Sequence, residues 1–284
     1  MKKSTVDIIV TINSSLDWLK FCVDAIVRNT DLDLIGTIYL VADHDGTEMQ
    51  SYLTQITKKW HGLISVVHGK TVKAIKLATS NRILLLNSNC ILSENAIAKM
   101  CTAMDKDSKI GVLFPLSSAD SPYAYATPDG MNFMQVNEYL GNQFSGDTYT
   151  ATSAPINCLM LTRSAITKVG LPDSSNYPIK AEDKGFSTKV LIDTYVYNRS
   201  PYSENDPINE PAEYVKKHVK YGKVKNACQL VVTDLVEFEK LAVLINNLIF
   251  DHINVEMVAR PRIVRKYKGI MLFAPTIKRG LSFK

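Results

Sequence analysis

Residues 6–30 read VDIIVTINSSLDWLKFCVDAIVRNT, and this stretch decides the fold class. Residues 6–12 are a short apolar run rich in β-branched side chains, which predicts a buried strand. Asn13, Ser14 and Ser15 then offer helix caps, after which Leu16, Leu19, Val23, Ile26 and Val27 recur at helical spacing. The same order of strand, loop and helix returns at residues 37–42 and 48–59, and again at 63–67 and 71–79. A fourth strand over 82–86 stops at Asn87 and precedes a helix capped by Ser93, with Ile97, Met100, Cys101 and Met104 on one face. Such alternation predicts an α/β fold with a mostly parallel central sheet and helices on both faces. Ligands of such sheets bind beyond the carboxyl ends of the strands, so the loops after Ile12, Ala42 and Leu86 are where chemistry is expected.

Beyond residue 110 the alternation loosens. Residues 110–114 read as another strand, and 115–150, rich in Ser, Pro, Tyr, Asn and Gly, read as a long functional loop or lid. A strand over 156–161 and a short helix over 163–169, ended by Gly170, follow. Three prolines within 201–211 mark a boundary, dividing a domain of residues 1–205 from a basic, mainly helical extension of 206–284. In that extension Asp234 and Glu237 spell a capping box. Leu235, Phe238, Leu241, Ala242, Ile245, Leu248 and Ile249 form one apolar stripe behind it.

The 284 residues are 46% hydrophobic and 21% charged, which suits a globular protein with a sizeable core. No apolar run approaches the roughly 20 residues that span a bilayer, and the first residues, MKKST, lead straight into the first strand. The mature chain is therefore expected to start near residue 1 and to be cytoplasmic. Five scattered cysteines with no Cys-x-x-Cys pair fit reduced, buried thiols. The net charge of +5 is concentrated at one end. Residues 206–284 hold 14 Lys and Arg against 8 acids, and eight basic residues follow Glu256 with no acid among them. That field suits a polyanion as much as it suits a solubilising surface.

Several sites are excluded by spelling. No Gly-x-Gly-x-x-Gly follows the first strand, no Gly-x-Ser-x-Gly elbow exists, and no two histidines sit at metal-ligand spacing. His68-Gly69-Lys70-Thr71 imitates the end of a P-loop, but Ile64 stands where its first glycine belongs.

What remains are segments in an informative order: residues 6–30, IYLVADHDGT at 38–47, RILLLNSNCIL at 82–92, NCLMLTRSAITKVGLPD at 157–173, and Ala181-Glu182-Asp183. Over about residues 4–200 the chain resembles the family 2 glycosyltransferases, which are inverting enzymes of GT-A fold. The resemblance implies a nucleotide-diphosphate sugar, foremost a UDP-sugar, as co-substrate. It implies that Thr11, Ile12 and Asn13, with Asp43 or Asp45, hold the nucleotide. Asp183, the Asp of the family's Glu-Asp pair, is implied as the general base, with Glu182 beside it; read without the family, Asp183 is a helix cap.

Two departures accompany the match. The family's metal-binding motif falls on Asn87-Ser88-Asn89, and its later metal-shell His falls on Asn198, so amides replace charged ligands. A neutral amide holds Mn²⁺ or Mg²⁺ far more weakly than a carboxylate. Three outcomes stay open: a metal held loosely through Asn89 and the donor's own oxygens; cations such as Lys70, Lys73 or Arg199 in its place; or a catalytically inactive binding protein. Asn87, Asn89 and Asp43 also read as ordinary turn residues. Tyr123, Tyr125 and Tyr139 suit an acceptor site or a satellite core equally, while Phe133 leans to core. For the acceptor, Arg260, Arg262, Arg265, Lys266 and Lys268 suit a phosphate backbone, which makes a hydroxymethylated base in DNA a candidate, as in phage DNA-modifying relatives. A surface polysaccharide or lipid-linked saccharide, with peripheral membrane contact, is the alternative.

Overall fold

The computed structural model describes residues 5–43, 46–118, 125, 132–151, 154–155, 157–171 and 177–198, together with the strands Ala227–Val232 and Asn254–Ala259. In chain order the elements begin with β1 (Val6–Thr11), α1 (Leu16–Asn29), β2 (Ile35–Ala42), α2 (Thr47–Lys59), β3 (Ile64–His68) and α3 (Thr71–Leu77). Next come β4 (Arg82–Asn87), β5 (Cys90–Leu92), α4 (Ala96–Lys106), β6 (Ile110–Ser117), α5 (Phe133–Phe144) and β7 (Thr148–Thr150). This series closes with β8 (Cys158–Thr162), α6 (Arg163–Val169), α7 (Tyr177–Asp183) and β9 (Ser187–Asn198).

These strands form one sheet in the order β3-β2-β1-β4-β8-β6-β9-β5, with β7 paired to β9. β1, β2, β3 and β4 pair in parallel, as the sequence periodicity predicts. The sheet as a whole is mixed, which corrects the expectation of a mostly parallel one. β8 lies antiparallel between β4 and β6, and β5 and β7 run antiparallel to β9. The reason is that β8 enters at the edge where β4 ends: Cys158 faces Leu86 and Thr162 faces Arg82.

Both faces of the sheet are covered, so the strands read as continuous apolar runs. Val6, Ile8 and Val10 point to one side, where α1 supplies Leu19, Cys22, Val23 and Ile26 and α4 supplies Ile97 and Met100. Ile9 points to the other, against Ala74 and Ile75 of α3. Farther along that side Val136 and Leu140 of α5 meet Val190 and Ile192 of β9. Each fully buried Ile or Leu contributes roughly 1.5–3 kcal/mol.

Asp7, pointing away from Val6 and Ile8, is buried but not idle. Its Oδ1 accepts from the Thr37 N–H at 2.9 Å, and its Oδ2 accepts from those of Thr79 at 2.6 Å and Ser80 at 2.8 Å. The carboxylate thus ties β1 to the entries of β2 and β4. Arg163 works beside it, donating to the carbonyls of Ala78 at 2.6 Å and Ser80 at 3.1 Å, where α3 has ended.

Two further expectations change. Residues 115–150 are not one loop: β6 runs on to Ser117, and α5 and β7 occupy much of the rest. Asn132 caps α5 in a box with Gln135, and Phe133, Val136, Leu140 and Phe144 form its apolar stripe. Ser93 does not cap α4: Asn95 occupies the N-cap position, at φ +59° and without a side-chain cap bond, while the Ser93 hydroxyl donates to Asn137 Oδ1 at 2.8 Å. In the C-terminal extension, β10 (Ala227–Val232) and β11 (Asn254–Ala259) pair in parallel. The helix expected between them, over 235–249, and the boundary at 201–211 lie outside the described residues.

Candidate functional site

The carboxyl ends of the parallel strands gather four loops along one edge of the sheet. Thr11 is level with Asn87 and with Val41, and Ala42 is level with His68. Ile12 N–H donates to the Val41 carbonyl at 3.0 Å, and Gly69 N–H to that of Ala42 at 2.9 Å. Gly69 holds φ +110°, a conformation that L side chains rarely adopt, and so turns the chain sharply into α3. The turn brings Thr71 Oγ1 within 3.1 Å of Thr11 Oγ1. Lys70 is the exposed residue preceding α3, and Lys73 Nζ donates to the His68 carbonyl at 3.3 Å. Asp43 is exposed just after β2; Asp45 lies outside the described residues.

Ser88 joins the loop after β4 to the loop after β1. It is fully buried, its N–H donates to the Thr11 carbonyl at 3.0 Å, and its Oγ accepts from Asn13 N–H at 3.0 Å. The same hydroxyl donates to Asn13 Oδ1 at 3.1 Å and lies 2.6 Å from Ser14 Oγ. These bonds use one donor and two acceptor positions, the full capacity of a hydroxyl. Ser14, which the sequence offered only as a helix cap, is a member of this joint.

Beside the joint lies a cluster of amides. Asn87 N–H donates to the Asn157 carbonyl at 2.8 Å. Cys90 pairs in register with Asn198, and its thiol lies 3.4 Å from the Asn157 carbonyl, 3.6 Å from Asn198 Oδ1 and 3.8 Å from Asn89 Oδ1. Asn198 is held by Ser118, which accepts from its N–H at 2.8 Å and donates to its carbonyl at 2.9 Å. Asn157 is only 5% exposed, yet neither its Nδ2 nor its Oδ1 has a hydrogen-bond partner. Each such buried orphan costs about 1–3 kcal/mol. Asn157 was not singled out from the sequence; the pairing of β8 with β4 brings it to this cluster.

Two buried thiols beside the cluster are held in the protonated form. Burial pushes Cys22, whose Sγ lies 3.9 Å from the Asn87 carbonyl, up to about 12, and burial pushes Cys158 up as well. A tight divalent-metal site does not fit these residues. Among the described residues no group of three or more His, Cys, Asp and Glu side chains could hold a metal ion. Around Asn89 and Asn198 the oxygens on offer are neutral.

An aromatic row flanks the cluster. Trp18, in the first turns of α1, stacks on Tyr197 at 6.2 Å and 24°, and Tyr197 meets Phe133 at 6.0 Å. Tyr125 is 2% exposed in the core, where its carbonyl accepts from Tyr195 Oη at 2.9 Å; Phe133 and Tyr139 pack against the same core. Tyr123 lies outside the described residues.

The structure does not bring Glu182 and Asp183 to these loops. Both are exposed at the end of α7, just before β9 begins. Phe186 N–H donates to the Ala181 carbonyl, and Ser187 pairs with Ile110, the first residue of β6. Asn198 ends β9 at the opposite edge, where Val196 pairs with Ser117. Seven steps of β6 separate the two levels, about 23 Å at the usual rise. Asp183 is not a cap either, because a turn and then a strand follow it. Arg199, Arg260, Arg262, Arg265, Lys266 and Lys268 lie outside the described residues.

No protein-family model matches the sequence, and no curated protein does. Solved structures do. GalNAc-T7 with UDP, GalNAc and Mn²⁺ superposes with a TM-score of 0.54 at 16% identity, over 75% of this chain and 48% of that one. The mannosyltransferase PcManGT from Pyrobaculum calidifontis, in complex with GDP-Man and Mn²⁺, gives 0.53 at 13% identity, over 86% of this chain and 69% of that one. The chain thus spans about half the length of the first of these structures. The mixed α/β arrangement of its sheet and helices resembles the fold of GT-A glycosyltransferases.

Proposed function

We propose that the protein transfers a glycosyl group from a nucleoside diphosphate sugar to an acceptor hydroxyl, with inversion. The observation that carries this reading is the joint at Ser88, which fixes the loops after β1 and β4 against each other at the carboxyl edge. Two solved structures of this fold hold UDP or GDP-Man. In the reaction the acceptor oxygen forms a bond to the anomeric carbon while the bond from that carbon to the diphosphate oxygen breaks. The diphosphate leaves with the electron pair, and the acceptor proton passes to a base. Fixed hydrogen-bond donors at the edge stabilise the charge that develops on the leaving group. In this reading Asp43 meets the nucleoside, and Thr11, Ile12 and Asn13 line its side of the site. For the base we look to a group other than Asp183, since that residue ends α7 just before Ser187 begins β9 at the level of Ile110.

The acceptor we favour is a hydroxyl on DNA, on the strength of the 14 Lys and Arg against 8 acids in residues 206–284. Among the described residues no helix is long and apolar enough to cross a membrane. A panel of UDP- and GDP-sugars assayed for hydrolysis and for transfer to hydroxymethylated DNA, with Ser88→Ala as control, tests both parts. Transfer to polysaccharide or lipid-linked saccharide alone would replace the acceptor; nucleotide binding without turnover on any acceptor would replace the enzyme with a binding protein. Binding to DNA should weaken by roughly one log unit per log unit of salt for each phosphate contact, which a gel-shift series measures.

A further inference from the structure

We propose that this chain holds the donor diphosphate through neutral amide and hydroxyl groups, without a tightly bound divalent cation. The inference rests on the nucleotide-sugar reading and concerns how that site handles charge. The two sequence positions where the family resemblance places charged metal ligands are distant in the chain, yet the fold puts them side by side. Cys90 pairs with Asn198 across β5 and β9, and its thiol lies within 3.8 Å of Asn89 Oδ1 and 3.6 Å of Asn198 Oδ1. Both positions carry amides, so the carboxylate and the imidazole that would hold a cation are replaced together at one place.

The surroundings are built for a neutral group. Asn198 is 3% exposed and bonded through both backbone groups to Ser118, so a carboxylate there would be a buried charge needing a counter-ion. Asn157 adds a third amide, 5% exposed, with its nitrogen and its oxygen both unpartnered. Amide N–H groups donate to phosphate oxygens, whereas a hard cation needs anionic oxygen ligands to be held tightly. Positive charge is available across the edge from Lys70 and Lys73, beside Thr71 and its contact to Thr11.

The test uses the full chain and calorimetric titration with UDP and GDP, in EDTA and in Mn²⁺, with Mn²⁺ binding alone followed by electron paramagnetic resonance. The expected result is one nucleotide affinity that agrees within about twofold in the two buffers, with Mn²⁺ alone bound only in the millimolar range. Asn157→Leu should weaken the nucleotide on the order of tenfold while circular dichroism shows an unchanged fold. Asn89→Asp combined with Asn198→His should make nucleotide binding dependent on Mn²⁺. Nucleotide binding by the unaltered chain only when Mn²⁺ is present, or micromolar binding of Mn²⁺ alone, would overturn the inference and leave the nucleotide site standing. Failure of both nucleotides to bind in either buffer would remove the nucleotide-sugar reading and the inference with it.

Discussion

The backbone N–H of Ser88 donates to the carbonyl of Thr11 at 3.0 Å, one step beyond the level where Thr11 and Asn87 face each other as the last residues of β1 and β4. The parallel ladder thus continues into the loops, and the Ser88 hydroxyl completes it through Asn13 and Ser14. Ser88→Ala keeps the backbone bond and removes the hydroxyl. Asn13 N–H then loses its acceptor, so a destabilisation of about 1–2 kcal/mol is expected in denaturant titration. Because the released loop is the one that meets the nucleotide, KM for the donor should rise more than kcat falls. An unchanged KM would show that the joint is structural only.

Asp7 predicts a different phenotype. It sits at the edge away from the site, so its loss should lower stability with little effect on donor affinity in the folded fraction. Asp7→Ala leaves the N–H groups of Thr37, Thr79 and Ser80 without their acceptor, at a cost of about 3 kcal/mol. Gly36→Ala tests the same knot from the partner strand. A Cβ there would stand 2.4 Å from Asp7 Oδ1 and 2.6 Å from Ser80 Oγ, which the three backbone bonds prevent from moving aside. Thermal melts that leave Gly36→Ala equal to the parent would refute that packing.

The first four strands and their helices are legible in the sequence because each is a local pattern: a β-branched run, a cap and a stripe. β5 is not, since the three residues Cys90–Leu92 are too short to show a period. Nor is the antiparallel place of β8, because strand order is set by contacts between residues far apart in the chain. α5 carries a readable stripe, but Asn137 interrupts it. That residue is buried to accept from Ser93 and from Tyr195 N–H, two partners 44 and 58 residues away in sequence. The site divides in the same way. Asn13, Ser88 and Asn198 follow from position along the chain, whereas Asn157 becomes visible only when β8 is set beside β4.

Ala181-Glu182-Asp183 matches the family motif in spelling and lies away from the carboxyl-edge loops. In the fold this tripeptide ends α7 and leads into β9, so spelling matched while the level along the sheet did not. Asp183→Asn should therefore keep transfer activity within about twofold of the parent. A loss of a hundredfold or more in kcat with the fold intact, on the scale of removing a general base, would return Asp183 to the reacting atoms.

The last prediction concerns alkaline pH and the thiol beneath the amide cluster. Burial raises Cys22 from 9.0 to about 12, so the unfolded chain loses this proton first as pH rises. Between those values the unfolded state binds fewer protons than the native one, and stability must fall with increasing pH. The contribution is intact below pH 9; by pH 10 the loss from this one thiol reaches about 1.4 kcal/mol. Tyr52 is likewise raised to about 12 by burial, with Cys22 and Asp24 adding to it, but from 10.0, so it begins to act only above that pH. Urea unfolding between pH 8.5 and 10 therefore isolates the thiols. Cys22→Ala costs some packing at every pH, yet its stability should decline with a shallower slope than the parent's, converging on it by about 1.4 kcal/mol at pH 10. Parallel slopes would mean that Cys22 exchanges its proton as freely in the folded chain as in the unfolded one, and that α1 does not seal the underside of Asn87.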